Sequence, residues 1–122
     1  MNESGGPVKA LANFYKVNLD NVIVIHDELD IPFAAIRTQL GGGDNGHNGL
    51  KSLTSAFNAP NYFRVRMGIG RPNGDQDPAD FVLKNFSSTE KKELSDLISR
   101  GAEVVEYLVN NGLEKTQAKF NS

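Results

Sequence analysis

The chain has 122 residues, of which 39% are hydrophobic and 23% charged, with a net charge of −2, a composition that fits one globular domain with one core. With no cysteine it has no disulfide and no thiolate metal site. No apolar run approaches membrane-spanning length and the first residues lack a basic-then-apolar leader, so a soluble, cytoplasmic protein without a membrane partner is expected.

Met1 to Pro7 reads as a turn into a helix, with Pro7 suited to its first turn and Val8, Leu11, Ala12 and Tyr15 spaced along one face. Asn18 to Asn21 ends that helix. Val22 to Ile25 is a continuous β-branched run and predicts a strand buried on both faces, stopping at His26-Asp27-Glu28-Leu29-Asp30. Polar residues at the carboxyl end of a buried strand lie where open α/β sheets place their sites. Ile31-Pro32-Phe33 makes a bend, and Ala34 to Leu40 predicts a second strand in which Ile36 alternates with Arg37 and Gln39.

That strand delivers the chain into Gly41 to Lys51, where five of the nine residues from 41 to 49 are glycine and Asp44, Asn45, His47 and Asn48 add polar side chains. Leu50, Leu53, Ala56 and Phe57 follow at helical spacing, so the polar cluster is predicted at a helix N-terminus, where unpaired N–H groups favour anionic or carbonyl oxygens. After an Asn58-Ala59-Pro60-Asn61 turn, Tyr62 to Ile69 predicts a third strand with Arg64 and Arg66 on one face. Arg71 to Asp77 reads as a loop and Pro78 to Leu83 as a helical turn. Ser87 and Glu90 form a capping box for a last helix whose stripe is Leu94, Leu97, Ile98, Ala102, Val105, Leu108 and Val109, stopped by Gly112. The polar residues 113–122 are expected to fray.

Charge is unevenly distributed. Residues 35–71 hold five basic and one acidic residue, whereas the segments on either side are net acidic, so the glycine-rich segment can attract a phosphate-bearing partner. Gly41, Gly43 and Gly46 satisfy the spacing of a dinucleotide-binding loop, but the strand before them is short and alternating. Arg66 also stands about where an acidic ribose ligand is expected. A Walker loop fails because no Gly-Lys-Ser/Thr is present. His26, Asp27, Glu28, Asp30, Asp44 and His47 have neither zinc-helix nor calcium-loop spacing, and neither Ser4 nor Ser52 sits in a nucleophile elbow. What remains is acid and base work on a water, with Asp27 orienting an imidazole and Asn2 and Asn48 positioning a water and a carbonyl. The plainer alternatives are a hydrogen-bonded structural role for His26, a turn or surface role for Glu28 and Asp30, a loop-fixing role for His47 and a helix cap at Asn48. Residues alone lead to an α/β protein with a phosphate-attracting or hydrolytic site.

Five stretches in register make the reading sharper. Met1-Asn2-Glu3-Ser4-Gly5, His26-Asp27-Glu28-Leu29-Asp30-Ile31-Pro32, Gly41-Gly42-Gly43 through Gly46-His47-Asn48-Gly49-Leu50-Lys51, Arg64-Val65-Arg66-Met67-Gly68-Ile69-Gly70-Arg71-Pro72 and Asp80-Phe81-Val82-Leu83 together resemble the bacterial-type peptidyl-tRNA hydrolase family across essentially the whole chain. The resemblance implies a single α/β domain, a twisted mixed β-sheet flanked by helices, that cleaves the ester joining a peptide to the 3′ end of a tRNA without metal or organic cofactor. It also implies roles by position. Asn2 and Asn48 bind the substrate end and help place the attacking water, Asp27 orients and charge-stabilises the catalytic imidazole, His47 supports the pocket, Met1 lines it, and Arg37, Lys51 and Arg66 contact the tRNA backbone.

Family members carry a segment before the Met-Asn motif that supplies sheet strands and the general-base histidine, and this sequence starts at the motif. His26 and His47 match other family positions, and Gln39 stands where the family often has a lysine for the tRNA phosphates. The 122 residues alone are therefore expected to be weakly active or inactive, with a non-catalytic RNA-binding module on the same fold as the alternative. An exposed sheet edge is expected to invite self-association.

Overall fold

The computed structural model describes residues 3–44, 46–70 and 88–121. Met1, Asn2, Asn45, the loop and helical turn expected between Arg71 and Leu83, Ser87 with its capping box, and the side chain of Leu94 lie outside the described residues. Among the described residues there are four α-helices, α1 (Gly5–Phe14), α2 (Asn48–Phe57), α3 (Ser88–Asn111) and α4 (Leu113–Phe120), and three strands, β1 (Ile23–Glu28), β2 (Ile36–Leu40) and β3 (Phe63–Gly68).

The sheet order is β1-β3-β2, so the last strand in sequence lies between the first two. Phe63 N–H donates to Val22 O and Ile69 N–H to Glu28 O, each at 3.0 Å, a constant offset that makes β1 and β3 parallel. Gly41 N–H donates to Tyr62 O at 3.0 Å and Gly68 N–H to Ala35 O at 2.8 Å, which makes β2 antiparallel to β3. The sheet is therefore mixed, as the family resemblance implies. β1 departs from its expected burial on both faces. Val24, His26 and Glu28 are buried, but Ile25 is 49% exposed and Asp27 is exposed, so the strand is buried on one face only.

The chain divides into two compact units. The first comprises Met1–Val24 and Gln39–Arg64. Its core is Val24, Leu50, Leu53 and Tyr62, with Val8, Leu19, Val22 and Phe57 packed against it. α1 approaches α2 closely because Gly5 has no side chain. Gly5 N–H donates to Ser52 Oγ at 2.9 Å, and a Cβ at Gly5 would lie 2.0 Å from Ser52 O. That crossing turns Val8 and Ala12 inward and leaves Leu11 and Tyr15, expected on the same face, exposed. The Tyr62 hydroxyl shares a hydrogen bond with Thr54 Oγ1 at 3.0 Å and donates to Leu50 O at 3.4 Å, joining the start of β3 to α2.

The second unit comprises Ile25–Thr38 and Val65–Ser122. Ile31, Ile36, Val65, Leu97, Val104 and Leu108 are buried there. The inward stripe of α3 is Leu97, Gly101, Val104 and Leu108, whereas Ile98, Ala102 and Val109 of the expected stripe are exposed. Gly101 lies at the centre of the inward stripe. A Cβ there would lie 2.8 Å from Met67 Cε, so the helix presents its bare position to β3. Gly112, at φ +85, ends α3 as expected from the sequence. Residues 113–122, read as a polar tail, instead include α4, whose Gln117 Nε2 donates to Thr38 O at 3.0 Å.

Candidate active site

The site residues named from sequence fall into two groups, one in each unit. In the first unit, the glycine loop ends in a turn built by Asp44. Its Oδ1 accepts from Gly46 N–H at 2.9 Å and its carbonyl accepts from His47 N–H at 2.8 Å. His47 then takes the N-cap of α2, with Nδ1 accepting from Leu50 N–H at 3.2 Å. The cap expected at Asn48 thus belongs to His47. Asn48 becomes the first helical residue with its side chain exposed, and Lys51 lies one turn later, also exposed. His47 thereby fixes the start of α2 through its ring nitrogen.

The loop itself is anchored by its carbonyls. Gly41 O accepts from Gln39 Nε2 at 2.9 Å, Gly42 O from Arg64 Nη2 at 2.9 Å, and Gly43 O from Arg64 Nη1. Arg64 also donates from Nη2 to Pro60 O at 3.3 Å, and its guanidinium lies 4.5 Å from the Tyr62 ring centroid. Only 1% of Arg64 is exposed. The sequence places Arg64 beside Arg66 on one strand face but does not distinguish their roles. The available signal is the register: Gly41 pairs with Tyr62, which brings the loop to the start of β3.

In the second unit, Asp27 sits exposed near the carboxyl end of β1, between buried His26 and Glu28. His26 Nδ1 lies 3.0 Å from Asp27 O, tying the ring to its own strand. Glu28 Oε1 accepts from Arg66 Nε at 3.3 Å, and the two side chains are 7% and 18% exposed. Arg66 is thus committed to an ion pair within the sheet. Arg37 is half-buried on β2. Among the described residues no three His, Cys, Asp or Glu side chains are grouped to hold a metal ion, and no helix is long and apolar enough to cross a membrane.

The first unit offers an exposed amide at a helix N-terminus with an imidazole capping that helix, and the second an exposed strand-end carboxylate. Amides can hydrogen-bond a carbonyl or a water, and a carboxylate can orient an imidazole. A family model described as peptidyl-tRNA hydrolase matches residues 1–122. The chain is 57% identical over 122 residues to a peptidyl-tRNA hydrolase of Frankia casuarinae, covering 100% of this chain and 62% of that protein. It is 58% identical to one of Streptomyces coelicolor, covering 100% and 60%. A crystal structure of peptidyl-tRNA hydrolase from Acinetobacter baumannii matches with a TM-score of 0.87 at 32% identity, over 100% of this chain and 62% of that one. The chain therefore spans about 60% of the length of these curated relatives.

Proposed function

Because the chain belongs to the peptidyl-tRNA hydrolase family, matched over residues 1–122, we propose that it is the substrate-holding part of an esterase that frees tRNA from peptidyl-tRNA during translation, in the cytoplasm. Asn48 and Asn2 hold the peptidyl end and place the attacking water, Met1 lines the pocket, and His47 supports it from the cap of α2. Asp27 orients and charge-stabilises the imidazole that takes the water's proton. Lys51 and Arg37 contact the tRNA backbone, and Arg66 adds its charge from within the pair with Glu28.

The observation that carries this division of labour is the state of the chain's two histidines. His26 is 4% exposed with Nδ1 against its own strand, and His47 spends Nδ1 on the α2 cap. Neither presents an acceptor nitrogen to a water, so the general base comes from outside these residues. Loss of a general base lowers rate on the order of 100-fold or more. Incubating the purified 122-residue chain with peptidyl-tRNA is expected to release peptide at least that much more slowly than a complete relative, while still binding the substrate. A rate equal to the relative's overturns the proposal. Binding with no hydrolysis, even after a relative's remaining segment is restored, favours a non-catalytic RNA-binding module. The outer position of β1, with Ile25 on its exposed face, supports self-association, checked by light scattering across a concentration series.

A further inference from the structure

Arg64 is a buried cation whose charge, among the described residues, meets carbonyls and a ring but no carboxylate. Gly42 O, Gly43 O and Pro60 O accept from it, Tyr62 lies beneath it, and its Nε has no hydrogen-bond partner. Burying a guanidinium is costly unless its surroundings are fixed to receive it. The receiving atoms are loop carbonyls, so the loop is held wherever Arg64 is held. Arg64 is itself held at the base of β3 by Tyr62, whose hydroxyl is bonded to Thr54 and Leu50 of α2.

The direction of those carbonyls has a consequence for the opposite side of the loop. In a trans peptide the C=O and the next N–H point opposite ways, and these peptides are trans. With Gly41 O turned to Gln39, and Gly42 O and Gly43 O turned to Arg64, the N–H groups of Gly42, Gly43 and Asp44 face away from the anchoring side chains. Gly42 reaches this arrangement at φ +108, and a Cβ there would lie 2.6 Å from Gln39 Nε2. The positive φ favours glycine, and a side chain there would also displace the Gln39 amide that holds Gly41 O.

We infer that Arg64 is a positioning residue: its paired hydrogen bonds to Gly42 and Gly43 hold the glycine loop in a shape that turns consecutive amide N–H groups away from the anchor, where they can receive a substrate oxygen. The substrate half of this inference rests on the proposed function; the loop half does not. Lysine separates the two properties of Arg64, because it keeps the charge but is a point donor that cannot hold two carbonyls in fixed register.

The test is ¹⁵N relaxation and amide exchange on the full 122-residue chain and on Arg64→Lys. Binding is then measured to an acceptor-stem minihelix carrying an acetylated amino acid joined by an amide at its 3′ end. In the parent chain, Gly42 and Gly43 are expected to be as ordered as Leu53, with order parameters near about 0.85. In Arg64→Lys they fall below about 0.6 while Leu53 keeps its value, and minihelix affinity falls about tenfold. A loop already mobile in the parent chain overturns the inference, and this arm stands even if Arg64→Lys does not fold. Unchanged loop order in a folded Arg64→Lys also overturns it. A parent chain with an ordered loop that does not bind the minihelix counts against the proposed function and leaves the loop anchoring supported.

Discussion

Asn121 meets both backbone groups of Thr38: its Oδ1 accepts from Thr38 N–H at 2.9 Å and its Nδ2 donates to Thr38 O at 3.3 Å. Ala35 and Gly41 bond inward to β3, so Thr38, of opposite parity, turns its N–H and C=O to the outer edge of β2. One side-chain amide thus stands where the peptide of a further strand would stand. Gln117 supports the same carbonyl, leaving Thr38 N–H dependent on Asn121 alone among these bonds. Asn121→Ala is expected to lower unfolding stability by about 1–3 kcal/mol, read as a shifted urea midpoint. It is also expected to raise association at high concentration, because an edge is uncovered.

Gly5 and Gly6 provide an internal control on the crossing of α1 and α2. A Cβ at Gly5 meets the Ser52 carbonyl at 2.0 Å, which is backbone and cannot step aside, whereas nothing lies within 4 Å of one at Gly6. Gly5→Ala should cost about 2–3 kcal/mol through overpacking. Gly6→Ala should instead stabilise by roughly 0.5–1 kcal/mol through helix propensity. Thermal unfolding of the two variants side by side checks the sign of each.

The Glu28–Arg66 pair is mostly buried, with side chains 7% and 18% exposed. Removing one partner of such a pair leaves an uncompensated charge and costs roughly 3 kcal/mol. Glu28→Gln and Arg66→Met are each expected to lower the unfolding midpoint by a similar amount, and the double variant by less than their sum. Additive losses would mean that the two side chains do not stabilise one another.

The helices α1 to α3 and the three strands were legible because the local signals agree: alternating apolar residues in β3, glycine-rich punctuation before α2, and Gly112 after α3; α4 was not, because its largely polar residues read as a tail. The faces were less legible. In α3, Ile98 and Val109 are more hydrophobic than Gly101, yet the helix turns Gly101 to Met67 and leaves them exposed, a choice of face set by packing with residues distant in sequence. In α1 the same rule at Gly5 left Leu11 and Tyr15 outside. The site shows a related limit. Asn48 at a helix start reads as a cap, whereas in the fold His47 takes that task and Asn48 begins the helix with its side chain exposed. Arg64 and Arg66 are indistinguishable in the strand pattern because their roles depend on the loop carbonyls and on Glu28, which are distant in sequence.

Lys51 carries the clearest test of the nucleic-acid side. It is exposed in the first turn of α2, in a segment from 35 to 71 with five basic residues and one acidic. A lysine that neutralises one phosphate releases about one counterion, so its loss lowers the slope of log affinity against log salt by about 1 and weakens binding evenly across sequences. Lys51→Ala is expected to show that change in minihelix titrations between about 50 and 200 mM salt. Its unfolding midpoint should stay within about 0.5 kcal/mol of the parent, since an exposed side chain is removed. Arg66→Met should show the reverse pattern, a large stability loss with a smaller change in slope, because its charge is already shared with Glu28. An unchanged slope in Lys51→Ala would take Lys51 out of the proposed tRNA contact.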